Sequence, residues 1–194
     1  MLDLVTPRPR VVSLHAHDLE GMFRDLRLLA RATGSDAGPL ERRLRKRVEA
    51  VERRTRNAPR KRVFCMEWLE PVFASGHWVP EMVAMAGGRD GLAAKRKPSR
   101  RVEWGEIVRF APEALILMPC GLTMERTRRE ARVVTGRPEW KSLPAVRSGE
   151  VWLADGPSYF NGAGPRLVEG LEILAGILHP ELFPRRRGRG CERL

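Results

Sequence analysis

Apolar positions recur with two different periods along the chain, and the alternation of those periods lays out the elements. Residues 10–14, RVVSL, form a short β-branched run that predicts a strand. From about 18 to 33, Leu19, Met22, Phe23, Leu26 and Leu29 fall on one face of a helix, with Asp18 placed to cap it and Gly34 to end it. A second, longer helix over about 38–56 carries Leu44, Val48 and Val51 as a single apolar stripe and stops before Asn57-Ala58-Pro59. Residues 62–68, RVFCMEW, then read as a buried strand, and 80–86 as a short helix with Pro80 in its first turn. A helical turn or two over 104–110 follows. The run ALILM at 114–118 predicts a second buried strand, 123–134 a helix, EVWLA at 150–154 a third strand, and 165–178 a final amphipathic helix. Strands with near-continuous apolar runs, separated by helices, predict an α/β domain whose parallel sheet is covered on both faces.

This order is uneven. Residues 62–183 supply a complete α/β unit, whereas the leading segment offers one strand with no sheet to join, and a lone strand cannot satisfy its backbone edges. The leading part therefore reads as the end of a lobe whose beginning is absent. The organisation expected is 1–34 as that remnant, 35–60 as a long connecting helix, 61–183 as an α/β lobe and 184–194 as a disordered basic tail.

Composition changes the picture in three places. With 194 residues and 42% apolar content, a true core can form. No window approaches the ~18 apolar residues of a membrane span, and MLDLVTPRPR lacks the apolar centre of an export signal, so the sequence as written reads as soluble and cytoplasmic. Cys65, Cys120 and Cys191 are too widely spaced for a disulfide framework or a CxxC metal site.

The net charge of +12 raises the question of nucleic acid. Much of the charge sits in 41–62, 95–101 and 185–193. In the first segment Glu41–Arg45, Glu49–Arg53 and Glu52–Arg56 are spaced as i,i+4 ion pairs, which makes it a solvated helix face. The basic segments lack interleaved aromatics, and no helix-turn-helix, zinc-finger or RNA-recognition pattern accompanies them. No specific nucleic-acid partner is expected.

Candidate chemistry gathers beyond the carboxyl ends of the predicted strands, where open α/β sheets bind ligands. The segments there hold Trp68, Phe73, His77, Trp78, Tyr159 and Phe160, which include the chain's only Tyr. Rings with a few polar neighbours suit a large, flat, partly apolar molecule; packing over the sheet end is the other reading for Trp68, Phe73 and Trp78. Cys120, in MPCGL, stands where a nucleophile would, with His15, His17, His77 and His179 as bases, yet no Ser-His-Asp or Cys-His order is recognisable and no catalytic residue is assigned. His15-Ala-His17 offers two metal ligands without a third, so no metal site is assigned either.

The segments EWLEPVFASGHWVPEMVAMAGG, SRRVEWGEIVRFAPEALILMPCG and LPAVRSGEVWLADGPSYFNGAGPRLVEGLEILAGILHPELF resemble the C-terminal lobe of cobalamin-binding proteins of the periplasmic-binding type, the substrate-binding components of cobalamin ABC importers. VVSLHAHDLEGMFRDLRLLARATG is similar to the end of that family's first lobe and the start of its backbone helix. The resemblance implies a three-layer parallel-sheet lobe of a helical-backbone (class III) periplasmic-binding-protein fold, truncated at its N-terminus. It implies a non-enzymatic protein that holds cobalamin or a related corrinoid as cargo, uses no cofactor of its own, and hands the cargo to an ABC permease dimer, at the periplasmic or cell-surface side. Haem and iron-siderophore carriers share the architecture.

On this resemblance Trp68, His77, Trp78, Tyr159, Phe160 and Asn161 line half of a cleft, with His77 either an axial cobalt ligand or a hydrogen-bonding rim residue. Glu106 falls where the family presents a carboxylate to permease arginines; it also suits an ordinary helix surface. Two departures stand out. Most of the first lobe is lacking, so that a homodimer would be one way to complete the cleft, and Gly162-Ala163 precede Gly164-Pro165-Arg166 where the family has Arg-Pro.

Overall fold

The computed structural model describes residues 9–183 and 190–194. Helices α1 (Leu19–Thr33) and α2 (Gly38–Thr55) lead into strand β1 (Lys61–Leu69), which turns back through β2 (Val72–Ala74). Helix α3 (Val79–Met85), the short strands β3 (Gly88–Arg89) and β4 (Arg100–Arg101), helix α4 (Trp104–Phe110) and strand β5 (Ala114–Leu117) follow. Then come α5 (Met124–Glu130), α6 (Arg132–Thr135), a 3-10 turn (Pro138–Ser142), α7 (Pro144–Arg147), β6 (Val151–Ala154), α8 (Gly156–Tyr159), α9 (Leu167–Leu178) and β7 (Cys191–Arg193).

The sheet runs β4-β2-β1-β5-β6-β7, with β3 paired to the start of β1. β1, β5 and β6 are mutually parallel; β2 and β7 run antiparallel to them, and β4, antiparallel to β2, returns to the direction of β1 at the outer edge. Period-two alternation sends Val63, Cys65, Ile116 and Trp152 to one face and Phe64, Met66, Leu115 and Leu153 to the other. The first face is covered by α1, α2, α3 and α9; the second packs against Ile107, Val134, Trp140 and Leu143. Three layers result, as the apolar strand runs predicted.

Helix α1 starts where the sequence places it. The Asp18 carboxylate accepts from the Gly21 N–H at 2.6 Å, and Gly34 at φ 70° closes the other end. Its Leu19, Met22 and Phe23 enter the same core cluster as α2, α3 and α9, so the expected boundary near residue 34 is not a boundary in packing. Helix α2 is fixed to α9 by a bidentate ion pair, Arg47 Nε to Glu172 Oε1 at 2.9 Å and Nη2 to Oε2 at 2.6 Å. The pairing is fork to fork on an almost buried carboxylate and adds a directional contact to the apolar packing between the two helices. Of the three i,i+4 pairs read from the α2 sequence, Glu41–Arg45 closes at 2.8 Å, helped by Glu20 and Arg27. Among the described residues Glu49–Arg53 and Glu52–Arg56 do not close, since freely solvated side chains gain too little to give up their rotamers.

Three expectations are corrected. Residues 10–14 are not a strand: no neighbouring strand among the described residues offers them a ladder, and Val11 and Leu14 are 64% and 46% exposed. The helix expected over 123–134 breaks at Ala131 into α5 and α6. The tail expected to be disordered contains β7, which pairs antiparallel with β6 through Trp152–Arg193 and Ala154–Cys191. There Arg193 stacks over the Trp152 ring at 5.0 Å and reaches Glu150 at 2.7 Å, while Glu192 meets Arg128 at 2.8 Å. Residues 184–189 of that expectation, and 1–8 of the leading remnant, lie outside the described residues.

Candidate functional site

The carboxyl ends of β1, β5 and β6 open onto three loops that a single carboxylate begins to tie together. Glu67, one residue from the end of β1's buried run, accepts from the Gly76 N–H at 3.3 Å and from the Ser99 hydroxyl at 2.8 Å. Its own carbonyl takes the Cys120 N–H at 3.0 Å. Gly76 is obligatory at this crossing: a Cβ there would stand 2.4 Å from the Ser99 nitrogen and 2.6 Å from the Pro98 carbonyl carbon.

The next residue, His77, sits at φ 54°, and facing it Arg96 sits at φ 62°. Two backbone bonds hold them, His77 N to Lys97 O at 2.6 Å and Arg96 N to His77 O at 2.9 Å. Two non-glycine residues in left-handed backbone at one spot persist only because the surrounding structure holds them, and such outliers gather where a side chain must be aimed. The His77 ring meets His17, Nδ1 to Nδ1 at 3.5 Å, with ring centres 5.6 Å apart. The residue after His17, Asp18, accepts from Arg96 through its second oxygen at 2.6 Å.

The predicted contact residues part company here. Trp78 is 9% exposed and points into the core, its indole N–H donating to the Phe160 carbonyl at 2.7 Å. Phe160 is 1% exposed. Both are therefore packing residues that close the fold between α3 and α9, a correction to their reading as ligand contacts, because a ring directed at a helix has no face left for a ligand. Tyr159 is half-buried, with its ring edge against Gly190 beside β7. Asn161 stays on the rim: its amide NH2 donates to the Met118 carbonyl at 3.4 Å, and its Oδ1 is buried without a partner among the described residues. Trp68 is 41% exposed and lines a groove with Leu122, Arg126 and Val133 on the other side of β1. The structure thus brings His77 beside Trp78, and Trp78 to Phe160, and sets Trp68 in a groove of its own.

Glu106 serves the start of α4. Its carboxylate accepts from the Glu103 N–H at 3.0 Å and from Arg100 at 2.9 Å, and those two contacts, the backbone bond first, hold its carboxyl below the usual carboxylate range. Asp90, in the turn after β3, moves the other way. Burial raises it to about 6, against the Leu92 and Ala93 N–H groups and the Arg100 charge, which favour the anion. Cys65 is sealed in the core, and burial pushes its thiol well up. Cys120 is exposed, and no histidine bonds it among the described residues. No cluster of three or more metal-ligating side chains occurs among the described residues.

The chain belongs to the Periplasmic binding protein family, whose profile matches residues 4–157. It is similar to the ABC transporter substrate-binding lipoprotein YvrC of Bacillus subtilis, at 28% identity over 92 residues, covering 47% of this chain and 28% of the relative. Among solved structures, the periplasmic vitamin B12 binding protein BtuF of Vibrio cholerae superposes with a TM-score of 0.65 at 17% identity, over 90% of this chain and 66% of that one. A periplasmic heme binding protein from Pseudomonas aeruginosa gives a TM-score of 0.67 at 20% identity, over 88% and 64%. The chain spans 28% of the curated relative's length and less than two-thirds of each of these two structures. The fold is the helical-backbone periplasmic-binding-protein fold expected from the sequence, in a family of binding proteins rather than of enzymes. No helix among the described residues is long and apolar enough to cross a membrane.

Sequence reasoning missed Glu67, Ser99, Arg96 and the joining of His17 to His77. Sixty positions separate the two histidines, and nothing local couples them. The one readable signal was Gly76 before His77, a small residue where a bulky loop would be expected.

Proposed function

We propose that this chain acts as the substrate-binding component of an ABC importer, capturing cobalamin or a related corrinoid and delivering it to a permease dimer on the periplasmic or cell-surface side. The observation that carries this reading is family membership joined to a carboxyl edge of the sheet that leaves the Trp68 ring exposed and His77 half-buried. Trp68 offers a ring face for a corrin plane, and Asn161, bonded to the Met118 carbonyl, shapes the rim beside it. Haem is the second reading, favoured by the Pseudomonas neighbour and by the suitability of His77 for a metal macrocycle. A second copy of the chain would supply the opposing half of the cleft, and docking at Glu106 would exchange its Arg100 partner for a permease arginine.

Titration of the purified chain with cyanocobalamin, cobinamide and haem, read by calorimetry and by the corrin and Soret absorbance bands, tests the reading. Saturable corrinoid binding that Trp68→Ala weakens by about tenfold or more supports it. Haem binding without corrinoid binding transfers the assignment to haem, and no binding of any of the three by the folded chain overturns it. Sedimentation with and without corrinoid reports whether a dimer forms the cleft.

A further inference from the structure

The His17–His77 pair has features that the capture of an organic ligand does not require. Its two Nδ1 atoms stand 3.5 Å apart across segments distant in sequence, the leading chain before α1 and the N-terminal approach to α3. Two imidazole nitrogens bound to one tetrahedral ion at 2.0 to 2.1 Å are separated by roughly 3.3 to 3.4 Å, so the observed spacing needs only a slight closure to admit an ion. As a direct hydrogen bond the same contact is at the limit of length.

The backbone on both sides is held from outside: His77 by its left-handed conformation and the two bonds to the 96–97 loop, and the chain at His17 by the next residue, Asp18, which caps α1 and binds Arg96. The nearby carboxylates are engaged elsewhere: Asp18 with Gly21 and Arg96, and Glu81 with the Leu19 N–H at 3.0 Å. No third His, Cys, Asp or Glu joins the pair into a cluster among the described residues. The protein would therefore contribute two neutral nitrogen donors and leave the remaining positions to water. That donor set fits Ni2+, Cu2+ or Zn2+ and disfavours Mg2+ or Ca2+, which require oxygen.

We propose that His17 and His77 form a bis-imidazole site for a divalent transition-metal ion, which fastens the segment preceding α1 to the α3 end of the lobe. The site shares His77 with the haem reading, so an ion there occupies the imidazole that haem would use, and it leaves the Trp68 contact of the corrinoid reading untouched. An ion there binds the folded chain and not the unfolded one, so it raises the melting temperature by mass action and locks together two segments that are distant in sequence.

The test uses the purified chain stripped with a chelator, with no corrinoid or haem present. NiCl2 or ZnCl2 is titrated by calorimetry, thermal unfolding is followed with and without the ion, and a Co2+-loaded sample reports imidazole ligation in its visible spectrum. The variants are His17→Ala, His77→Asn, chosen because asparagine tolerates a positive φ, and His15→Ala as the neighbouring control. The expected result is one ion per chain, a melting temperature that rises with the ion, and loss of about tenfold or more in affinity in both His17→Ala and His77→Asn, with His15→Ala unchanged. Absence of binding in the unaltered chain overturns the proposal. So does binding that persists in His77→Asn, or that depends on His15 as much as on His17, since either would place the ion on the leading segment alone.

Discussion

Trp68 and Trp78 lie at the same carboxyl edge of the sheet, yet one is 41% exposed and the other 9%. The difference is in where each indole N–H finds its acceptor. Trp68 donates to the Glu70 carbonyl, two residues along its own turn, at 3.1 Å, and that local bond leaves the ring face free over the Leu122 groove. Trp78 donates across 82 positions to Phe160, so its bond can form only with the ring drawn into the space between α3 and α9. An aromatic at a strand end is thus a surface or a rivet according to the sequence distance of its polar partner. Strand-end position alone does not distinguish the two.

This contrast can be tested to destruction. Phe160→Ala empties a fully buried site and should destabilise the chain by about 3 to 5 kcal/mol in denaturant unfolding; a loss under about 1 kcal/mol would return Phe160 to the rim. Asp90→Asn tests the turn that carries the loop gripping His77. An acid raised from 3.8 to about 6 on folding keeps an extra proton in the native state between those values. Stability therefore falls as pH rises through that window, and the cost persists above it. The amide variant should lose that slope and gain about 1 to 3 kcal/mol at neutral pH, measured as unfolding midpoints at pH 4, 5, 6 and 7. Trp68→Ala should sit at the small end, within about 0.5 kcal/mol of the parent in stability, because its ring covers a groove and not the core.

The same logic governs what was legible in the chain. β1, β5 and β6 could be read because both of their faces are buried, and a short continuous apolar run such as ALIL fits a strand covered on both sides better than any half-exposed element. β2, β3 and β4 have two or three residues each, and their strand character is conferred by β1, directly or through β2. β7 was invisible for a related reason. Its arginines look like a solvated tail until β6 presents Trp152 and Glu150 to them. For the candidate site, the loops were legible and the directions of the side chains were not. Phe160 and Asn161 are adjacent in sequence, and only the path of α8 into α9 decides that the first turns inward and the second remains at the rim.

Glu67 carries a consequence for how these loops can diversify. Because one carboxylate receives both the Gly76 amide and the Ser99 hydroxyl, and because Gly76 admits no side chain against the Pro98–Ser99 backbone, the two loops are coupled parts and not interchangeable ones. A graft that imports a new 76–78 turn without its matching 96–99 loop should leave Glu67 with a missing donor and the turn with a steric collision. Sequence change in this part of the scaffold would be inherited through loop pairs, so a library that varies either loop should recombine the two as one cassette.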